Sequence, residues 1–416
     1  MRAVRPGATA RVTEAVKVLV VAPAPLSDDW AGGISNFVRS FVQHMPADFR
    51  VSIAGVATDP DDESQGGWRP LSLAGREVRF LPVTRISSAG GGHRVPVKAK
   101  AMVGLLRARR HLPARVVVQV HAPAMDLPLA MRTAPVIRVV HNAPDNLAAP
   151  ASGTLWRRAG WVLRRLEAHE FRSADRVFFV DRATYERYAA TNGSPEKHMT
   201  YLHNGIDTAE FAPQDVPRRA AARHALGTAF DVPQTGPWLL FCGRLDRQKD
   251  PALLVATFAR ARRLPGLADA HLVMVGDGPL MAETRRAAHS AGVADAVHFA
   301  GNVDHDRLPQ VMAAANVLLL TSDYEGTPFV VLEALACGLP VVSTSVGDVP
   351  ALVHHQQTGF LAASHSPDEL ARGVAWAVAQ PRDEIAPRAA SSMIPYRIET
   401  VLAPFYDAHR TLAQGG

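Results

Sequence analysis

Two glutamates, Glu325 and Glu333, stand eight positions apart on either side of a short turn. An apolar run at 317–320 precedes the turn, and a helix-like run begins at about Phe329. A helix that starts at the carboxyl end of a buried strand presents free backbone N–H groups and a positive dipole end, which suit a phosphate or another anion. A carboxylate one turn into that helix can accept hydrogen bonds from sugar or ribose hydroxyls. Acidic residues are also common at helix starts, so the pair alone fits both interpretations.

Two cations follow another buried strand, the one that ends at Cys242-Gly243. They are Arg244 and Lys249. Arginine can bind phosphate oxygens bidentately and lysine acts as a point charge, so the two together predict a clamp for a diphosphate. A solvated pair of loop cations is the alternative. The clamp gains support because the helix at 329 belongs to the same predicted sheet, and ligands of such sheets bind beyond the carboxyl ends of the strands.

Two histidines, His121 and His141, each end a buried strand, in the segments V-V-V-Q-V-H and I-R-V-V-H-N. A histidine in that position can hydrogen-bond a sugar hydroxyl or shuttle a proton. It can equally well bond to nearby backbone, and the sequence leaves the choice open for both residues.

Other motifs of ligand binding are weak. The Asp-x-Asp patterns at 59–61 and 304–306 lack a second ligand group, so no required metal is predicted. The glycine fingerprint G-x-G-x-x-G is absent from both leading turns, and a standard dinucleotide site is therefore unsupported. The Gly-Asp-Gly-Pro turn at 276–279 is of a common kind.

Short apolar runs alternate with amphipathic stretches in two series, which predicts an α/β fold with two doubly wound parallel sheets. The predicted strands are 16–22, 51–56, 78–82, 116–120, 136–140 and 176–180 in the first series, then 238–242, 271–275, 297–300, 317–320 and 340–343 in the second. The predicted helices are 34–44, 97–111, 155–172, 251–263, 280–291, 306–315, 329–337 and 348–355.

The length of 416 residues exceeds the size at which one core stops growing, which favours two domains. We place an N-terminal domain at 1–205, of which 1–14 is a loose tail. A linker rich in Ala, Pro, Arg and Gln, with a short helix, follows at 206–236, and a C-terminal domain occupies 237–395. The last segment, 396–416, is predicted to be an amphipathic helix that packs back across both domains.

The composition, 47% apolar and 20% charged, is typical of a globular protein. Cys242 and Cys337 lie in apolar runs and are predicted to be buried hydrophobes in a reducing compartment. No apolar run approaches the roughly 20 residues of a membrane span, and no secretory signal pattern is present. We therefore predict a cytoplasmic protein.

The net charge of +6 fits three kinds of partner: nucleic acid, an anionic membrane surface or a phosphorylated small molecule. No nucleic-acid partner is predicted, because no helix-turn-helix, RNP-type strand or zinc module is recognisable. The segment 156–172 interleaves tryptophan with arginine. That pattern suits peripheral contact with an anionic membrane at its inner face, and it also suits a helix that packs its aromatic face on its own core.

The chain resembles the retaining glycosyltransferases of family four, which have the GT-B fold of two Rossmann-like domains facing across a cleft. The resemblance covers nearly the whole chain, and the paired-glutamate block together with the G-R-x(4)-K spacing is its most specific part. The matching motifs are Gly32-Gly33, A-D-R-V-F-F-V at 174–180, H-N-G-I-D at 203–207, G-R-L-D-R-Q-K at 243–249, V-G-D-G-P at 275–279 and E-G-T-P-F-V-V-L-E-A-L-A-C-G-L-P-V-V at 325–342.

This resemblance implies a role for each matching residue. Arg244 and Lys249 bind the donor diphosphate and help the nucleotide leave, Glu333 takes the ribose hydroxyls, and Glu325 faces the donor sugar. His121 matches the sugar-facing histidine of the family better than His141 does. The remaining donor-binding residues are Gly32, Gly33, Gly326, Thr327, Pro328, Phe329 and Val330. The chain departs from the commonest pattern at Thr327-Pro328 and at Asp181, which puts the identity of the sugar in doubt.

The resemblance also implies an activity. A sugar passes from a UDP- or GDP-sugar to a glycan or lipid-linked acceptor with retention of configuration, by front-face attack that the leaving phosphate assists. According to the resemblance, neither a metal nor a cofactor is required. The resemblance also implies that the N-terminal domain binds the acceptor and that the protein acts in cell-surface polysaccharide or glycolipid synthesis. Two alternatives stay open. One is a phosphorylase or a nucleotide-sugar epimerase of the same fold, and the other is a non-catalytic, membrane-associated binding module.

Overall fold

The computed structural model describes residues 15–26, 33–58, 67–86, 97–122, 134–141, 171, 173–192 and 198–415. The chain divides into two compact units. The first unit contains Met1–Leu202 together with Leu402–Gly416, and the second contains His203–Val401. The predicted tail 1–14, Gly32 and the tryptophan and arginine segment up to Glu170 lie outside the described residues.

The sheet of the first unit has eight strands in the order β3-β4-β2-β1-β5-β6-β7-β8. The strands are β1 (Val16–Pro25), β2 (Phe49–Ala57), β3 (Arg69–Leu73), β4 (Arg76–Arg85), β5 (Val117–Val120), β6 (Val136–Val140), β7 (Arg176–Phe179) and β8 (Met199–Tyr201). Neighbouring strands run parallel except the β3–β4 hairpin. The two residues between β3 and β4, Ala74 and Gly75, both have positive φ. That conformation matches the twist of a tight hairpin, and the edge strand β3 was not predicted.

Among the described residues of the first unit, the helices are α1 (Gly33–Gln43), α2 (Val97–Ala108), α3 (Arg182–Asn192) and most of α12 (Ile398–Gln414). The predicted helix 97–111 ends as an α-helix at Ala108 and continues as a single 3-10 turn to His111. Helix α3 was not predicted, because its apolar residues do not form a stripe.

The final helix, α12, is anchored in the first unit by polar and aromatic contacts. The hydroxyl of Tyr406 donates to the carbonyl of Phe41 at 2.8 Å, and the two rings stack. Arg410 makes two hydrogen bonds with Asp48, at 3.0 and 3.1 Å, and this guanidinium lowers the pKa of the carboxyl group. Residues from Leu402 onward therefore belong to the unit that also contains β1.

The second unit has a six-stranded, fully parallel sheet in the order β11-β10-β9-β12-β13-β14. The strands are β9 (Trp238–Cys242), β10 (His271–Val275), β11 (Val297–Gly301), β12 (Val317–Leu320), β13 (Val341–Thr344) and β14 (Gly359–Ala362). Successive residues of β9 pack into different cores: Trp238 and Leu240 into one apolar cluster, Leu239 and Phe241 into another. Both faces of the sheet are thus covered, as in a doubly wound fold.

The helices of the second unit are α4 (Val216–Phe230), α5 (Pro251–Ala261), α6 (Met281–Ser290), α7 (Leu308–Ala314), α8 (Phe329–Ala336), α9 (Val349–Leu352), α10 (Pro367–Ala379), α11 (Arg382–Ser392) and the start of α12. The predicted linker contains α4, which is 15 residues long and is capped by Asp215. Within the described residues, no helix has the length and the apolar character that a bilayer span requires. The predicted fold class, two Rossmann-like parallel-sheet units, is confirmed.

Candidate functional site

The order of strands in the second unit reverses at β9. The chain passes from β9 outward to β10 and β11, and then returns to place β12 on the other side of β9. Leu239 pairs with Val317 and Leu240 with Leu318 across this junction. Crevices for ligands form beyond the carboxyl ends of strands at such a switch point. The two loops that leave this point carry Lys249, after β9, and Glu325, after β12.

These two side chains meet in an ion pair. The Nζ of Lys249 lies 2.5 Å from Oε1 of Glu325, and the side chains are 16% and 5% exposed. The backbone of Lys249 is held by Asp246, whose carboxylate accepts from its N–H, in a 3-10 turn that leads to Asp250. Asp250 in turn caps α5 by accepting from Leu253 N. The local capping residues therefore hold the backbone from which the side chain of Lys249 extends.

Glu325 receives further hydrogen bonds from its own loop and from the loop of Lys249. The hydroxyl of Ser322 donates to Oε1 at 2.6 Å, and the amide of Gln248 lies 3.4 Å from Oε2. Gln248 also donates to the carbonyl of Tyr324 at 3.1 Å. The carboxylate is thus bonded to an ammonium, a hydroxyl and an amide, which hold it in one orientation.

The backbone of the 325–328 turn is supported by three residues that the sequence did not single out. Gly347 has φ +52°, and a Cβ there would lie 2.1 Å from the carbonyl oxygen of Glu325. The N–H of Asp348 donates to Gly326 O at 3.1 Å, and the side chain of Asn204 donates to Thr327 O at 2.9 Å. Asn204 belongs to the H-N-G-I-D motif at 203–207, and this motif was the sequence signal that could have pointed to its role. These contacts bring distant parts of the second unit to one turn.

Helix α8 begins directly after this turn. Within the described residues, the backbone N–H groups of Phe329 and Val330 make no hydrogen bond. Phe329 is 39% exposed, so the start of the helix is open to solvent. Free N–H groups at an exposed helix start can bind an anion, because the helix dipole adds a partial positive charge there.

Glu333, one turn into α8, is buried and faces a histidine. The Nε2 of His305 lies 3.3 Å from Oε1 of Glu333, and its Nδ1 lies 3.4 Å from Oε1 of Glu210. The hydrogen bond to Glu333, followed by the charges of both carboxylates, raises the pKa of His305. The sequence interpretation missed His305, whose imidazole bridges the two acids.

The loop that carries Arg244 packs on the Gly-Asp-Gly-Pro turn. Leu245 N donates to Asp277 O at 3.0 Å, and Gly276 has φ +119°. A Cβ on Gly276 would lie 2.0 Å from Gly243 O, so glycine is required for this approach. The side chain of Arg244 is 73% exposed and lies 3.8 Å from Asp246, a carboxylate of its own loop.

The two cysteines near Glu333 do not have the properties of nucleophiles. Burial, with the charge of Glu333 second, raises the pKa of both Cys242 and Cys337 to about 12. A thiol with so high a pKa carries almost no thiolate at neutral pH. Both are free thiols in apolar surroundings.

In the first unit, the sequence-predicted residues lie at the carboxyl edge of the sheet. Gly33 begins α1, His121 follows β5, and His141 follows β6. The sequence analysis weighed the two histidines as alternatives for the sugar-facing residue. In the structure they contact each other, with His121 Nδ1 2.8 Å from His141 Nε2. Gln119 contacts the other ring nitrogen of His121 at 2.7 Å. Burial lowers the pKa of both rings, that of His141 to about 3.

Most of the predicted residues thus converge on two strand edges, one in each unit. The residues at the edge of the second unit are Arg244, Lys249, Glu325, Gly326, Thr327, Pro328, Phe329, Val330 and Glu333. Those of the first unit are Gly33 and His121, while Gly32 lies outside the described residues.

Two family models match successive parts of the chain. The model described as "Glycosyltransferase Family 4" matches residues 31–210, and the model described as "Glycosyl transferases group 1" matches residues 236–380. The matched segments contain strands β2 to β14 in full and exclude β1, and they contain all the predicted site residues.

Among curated proteins, the chain is similar to the GDP-mannose-dependent alpha-(1-6)-phosphatidylinositol monomannoside mannosyltransferase of Mycobacterium tuberculosis. The identity is 35% over 223 residues, and the match spans 51% of this chain and about half, 54%, of that protein. The protein of the same description from Mycolicibacterium smegmatis is 27% identical over 375 residues, 84% of this chain and 87% of that one. Sucrose-phosphate synthase from Thermosynechococcus elongatus shares the fold, with a TM-score of 0.70, 22% identity and coverage of 96% and 100%.

Proposed function

Because the chain belongs to glycosyltransferase family 4 and has the GT-B fold, we propose that it transfers a sugar from a nucleoside diphosphate sugar to an acceptor hydroxyl. Retention of the anomeric configuration and independence of metal ions are part of this proposal. The observation that carries it is the Lys249–Glu325 ion pair at the strand-order reversal of the second unit. It places a positioned cation and a positioned carboxylate beside the open start of α8.

The cations are suited to stabilise the charge that develops on the leaving nucleoside diphosphate. Lys249 supplies a partly buried ammonium group, and the exposed side chain of Arg244 has freedom to reach a phosphate. The backbone N–H groups of Phe329 and Val330 add donors at the positive end of α8. Preorganised donors of this kind act where the transition state gains negative charge.

The carboxylates are suited to the hydroxyl groups of the donor. Glu325, already oriented by Ser322 and Lys249, would accept from the sugar. Glu333 would accept from the ribose, in competition with His305. Carboxylate acceptors that are oriented before binding lose little conformational entropy on meeting a hydroxyl.

The choice of donor and acceptor rests on the curated relatives. Two of them are described as GDP-mannose-dependent and act on a phosphatidylinositol monomannoside. We therefore propose GDP-mannose as the first donor to test, with UDP-sugars as the alternative, and a lipid-linked or glycan acceptor. A lipid-linked acceptor would require peripheral contact with the inner face of a membrane and would link the protein to glycolipid or polysaccharide synthesis.

The test is donor turnover by the full-length protein with GDP-mannose, UDP-glucose and UDP-N-acetylglucosamine, with and without EDTA. We expect one nucleotide series to be hydrolysed or transferred regardless of EDTA, and the product to retain its anomeric configuration by NMR. Lys249→Met and Glu325→Gln should each lower turnover roughly a hundredfold, whereas Asp368→Asn, in an exposed ion pair with Arg260, should leave it unchanged. Turnover at the wild-type rate in both site variants would refute the assignment, and phosphate-dependent glycan breakdown would favour a phosphorylase.

A further inference from the structure

Three arginines of the second unit lie together at the amino edge of its sheet. Arg219 and Arg223 are one turn apart on α4, and Arg382 is the first residue of α11. Their side chains donate to backbone carbonyls at the C-termini of α7 and α8 and just before β9. Helix α8 begins next to the loop of Glu325 and ends at these arginines. The arginine cluster and the Lys249–Glu325 pair are therefore associated with opposite ends of α8.

Arg223 has a complete set of partners. It donates to Ala314 O and to Asn316 Oδ1, at 3.1 Å each. It also donates to Gly236 O, and its guanidinium group lies 4.4 Å from the centre of the Trp238 ring. This arginine therefore joins α4 to the end of α7 and to the start of β9, and its role is structural.

Arg219 and Arg382 are less completely bonded. Nε of Arg219 lies 3.4 Å from Ala313 O, while within the described residues its Nη1 and Nη2 have no partner and are open to solvent. Nη2 of Arg382 lies 3.4 Å from Cys337 O, and in the same part of the chain its Nη1 is shielded from solvent and has no partner. Shielded polar groups without a partner are uncommon in native proteins. Both guanidinium groups thus have donors that the protein does not use.

No acid compensates the three charges. Within the part of the chain that the structure describes, none of the three arginines forms an ion pair, and no carboxylate is among the groups that shift their pKa values. Asp215, which caps α4, pairs with the exposed Arg218 instead. Burial lowers the pKa of all three arginines, and the charge of Arg219 lowers those of Arg223 and Arg382 further, that of Arg382 to about 10. All three are still protonated at neutral pH.

Helix dipoles offset only part of this charge. The C-terminus of a helix carries about half a negative elementary charge, so the ends of α7 and α8 together offset about one of the three positive charges. Roughly two positive charges remain where the unused nitrogens of Arg219 are open to solvent. A phosphate group on a small molecule carries about −1.5 to −2 charges at neutral pH, and its oxygens match the planar fork of arginine. The ligand that fits this surface is therefore a phosphate group.

We propose that these three arginines form an anion site, separate from the start of α8, which binds the phosphate group of a small molecule through Nη1 and Nη2 of Arg219. Arg223 and Arg382 contribute their charges. Inorganic phosphate and a phosphomonoester share this chemistry, and separate titrations distinguish them. The proposal does not depend on sugar transfer, because it follows from the acceptors and charges around the three side chains alone.

A titration followed by ¹H–¹⁵N NMR of the arginine Nε–H groups tests the site in the full-length protein at pH 7 and constant ionic strength. Each signal is assigned by its loss in a single variant. We expect inorganic phosphate or glucose 6-phosphate to shift the signals of Arg219 and Arg382 along one saturating curve, and the tighter ligand identifies the source of the phosphate. No saturating shift with either compound, or an equal shift at Arg218, would overturn the proposal.

Arg244→Gln separates this site from the loop cations at the other edge of the sheet. Arg244 follows the carboxyl end of β9, whereas the arginine cluster lies before its amino end. We expect the Arg219 signal to shift in this variant with the same Kd as in the wild type. Loss of the shift would mean that phosphate bound at the carboxyl edge causes it, and would refute a separate site.

Arg219→Gln removes the arginine that contacts the ligand, and the Nε–H signal of Arg382 then reports binding. We expect the Kd for the tighter phosphate compound to rise roughly tenfold or more, because a charge-assisted, bidentate contact is lost. Arg218→Gln is the matched control, since Arg218 is the preceding residue of α4 and its side chain is 78% exposed. Its Kd should change less than about twofold, as for a screened surface charge. Equal effects of the two substitutions would show only general attraction by the basic surface and contradict the site.

Stability without phosphate distinguishes a ligand residue from a helix cap. In chloride buffer we expect Arg219→Gln to unfold at the same or a higher urea concentration than the wild type, because one of three like charges is removed and the lost contact to Ala313 O is long. Arg223→Gln should unfold at a lower concentration, since it removes three hydrogen bonds. A destabilised Arg219→Gln with an unchanged phosphate response would show that Arg219 only caps α7, and would overturn the proposal.

Discussion

Lys249 and Glu325 are 76 positions apart in the sequence, yet Nζ and Oε1 of the two side chains lie 2.5 Å from each other. The pair forms because β9 and β12, which precede the two loops, are neighbours at the point where strand order reverses. Both side chains are largely withdrawn from solvent. Solvent therefore screens their ionic interaction only weakly.

Removal of one partner of this pair should destabilise the second unit. Lys249→Met leaves the carboxylate of Glu325 without its cation, and we expect a loss of roughly 3 kcal/mol in the free energy of unfolding, as for other buried pairs. The double variant Lys249→Met/Glu325→Gln should recover more than half of that loss, because neither charge remains. Urea unfolding of the single and double variants measures both values, and additive losses would contradict the coupling.

Turnover should fall in the same variants for a different reason. We expect Lys249→Met to lower kcat roughly a hundredfold, because an oriented cation is lost from the leaving-group side. The double variant should regain stability without regaining kcat. Recovery of turnover in the stabilised double variant would mean that the lysine contributes to folding alone.

The contact between His305 and Glu333 should make stability depend on pH. The pKa of His305 is raised in the folded protein, so its contribution is fully present below the unfolded value of 6.5 and is lost as the pH rises through the folded pKa. His305→Gln should therefore destabilise the protein at pH 6 and approach the wild type at pH 9. Urea midpoints of both proteins across this range provide the check, and a constant difference would exclude the charged contact.

The buried His409 should make stability depend on pH in the direction opposite to that of His305. Its pKa is lowered from 6.5 to about 4, so the unfolded chain binds a proton more readily, and stability is lost as the pH falls below 6.5. The loss between pH 7 and pH 5 should be about 2 kcal/mol for this ring. His409→Phe should remove that share of the acid sensitivity. An equal slope in wild type and variant would show that other groups dominate between pH 7 and pH 5.

Gly347→Ala should disturb the loop of Glu325. The position has φ +52°, and the added Cβ would meet the carbonyl oxygen of Glu325 at 2.1 Å. Gly292→Ala is the matched control, since Gly292 has φ +70° and no atom within 4 Å of the added Cβ. Both variants should lose about 1 kcal/mol in the free energy of unfolding, because alanine is strained in the left-handed backbone conformation. We expect Gly347→Ala to lose more than this in urea unfolding and to lower turnover, and equal behaviour of the two variants would refute the close approach.

Much of the second unit could be predicted from the sequence because its signals are local. Each buried strand is a short apolar run, and the helix that follows β9, which was predicted, begins at a clear cap, Asp250. The strands β3, β8 and β14 were missed because they are short and mostly not fully buried, and pairing with a neighbour defines them. Helices α10 and α11 were not predicted either. Helix α4 within the predicted linker was likewise longer than expected. Arg223 of α4 bonds to Asn316 and to the carbonyl groups of Ala314 and Gly236, contacts that the linker sequence does not indicate.

The amino-acid sequence by itself determined the fold class and the chemical groups available: two parallel α/β units, paired glutamates, two loop cations and two strand-end histidines. The tertiary structure alone decided which of these groups meet. Lys249 contacts Glu325, His305 contacts Glu333, and His121 is connected to His409 through Gln119. Local periodicity reports whether a residue is buried, but strand order and helix packing bring together residues that are up to 365 positions apart. Distances of hydrogen-bond length depend on that packing, and no local pattern contains it.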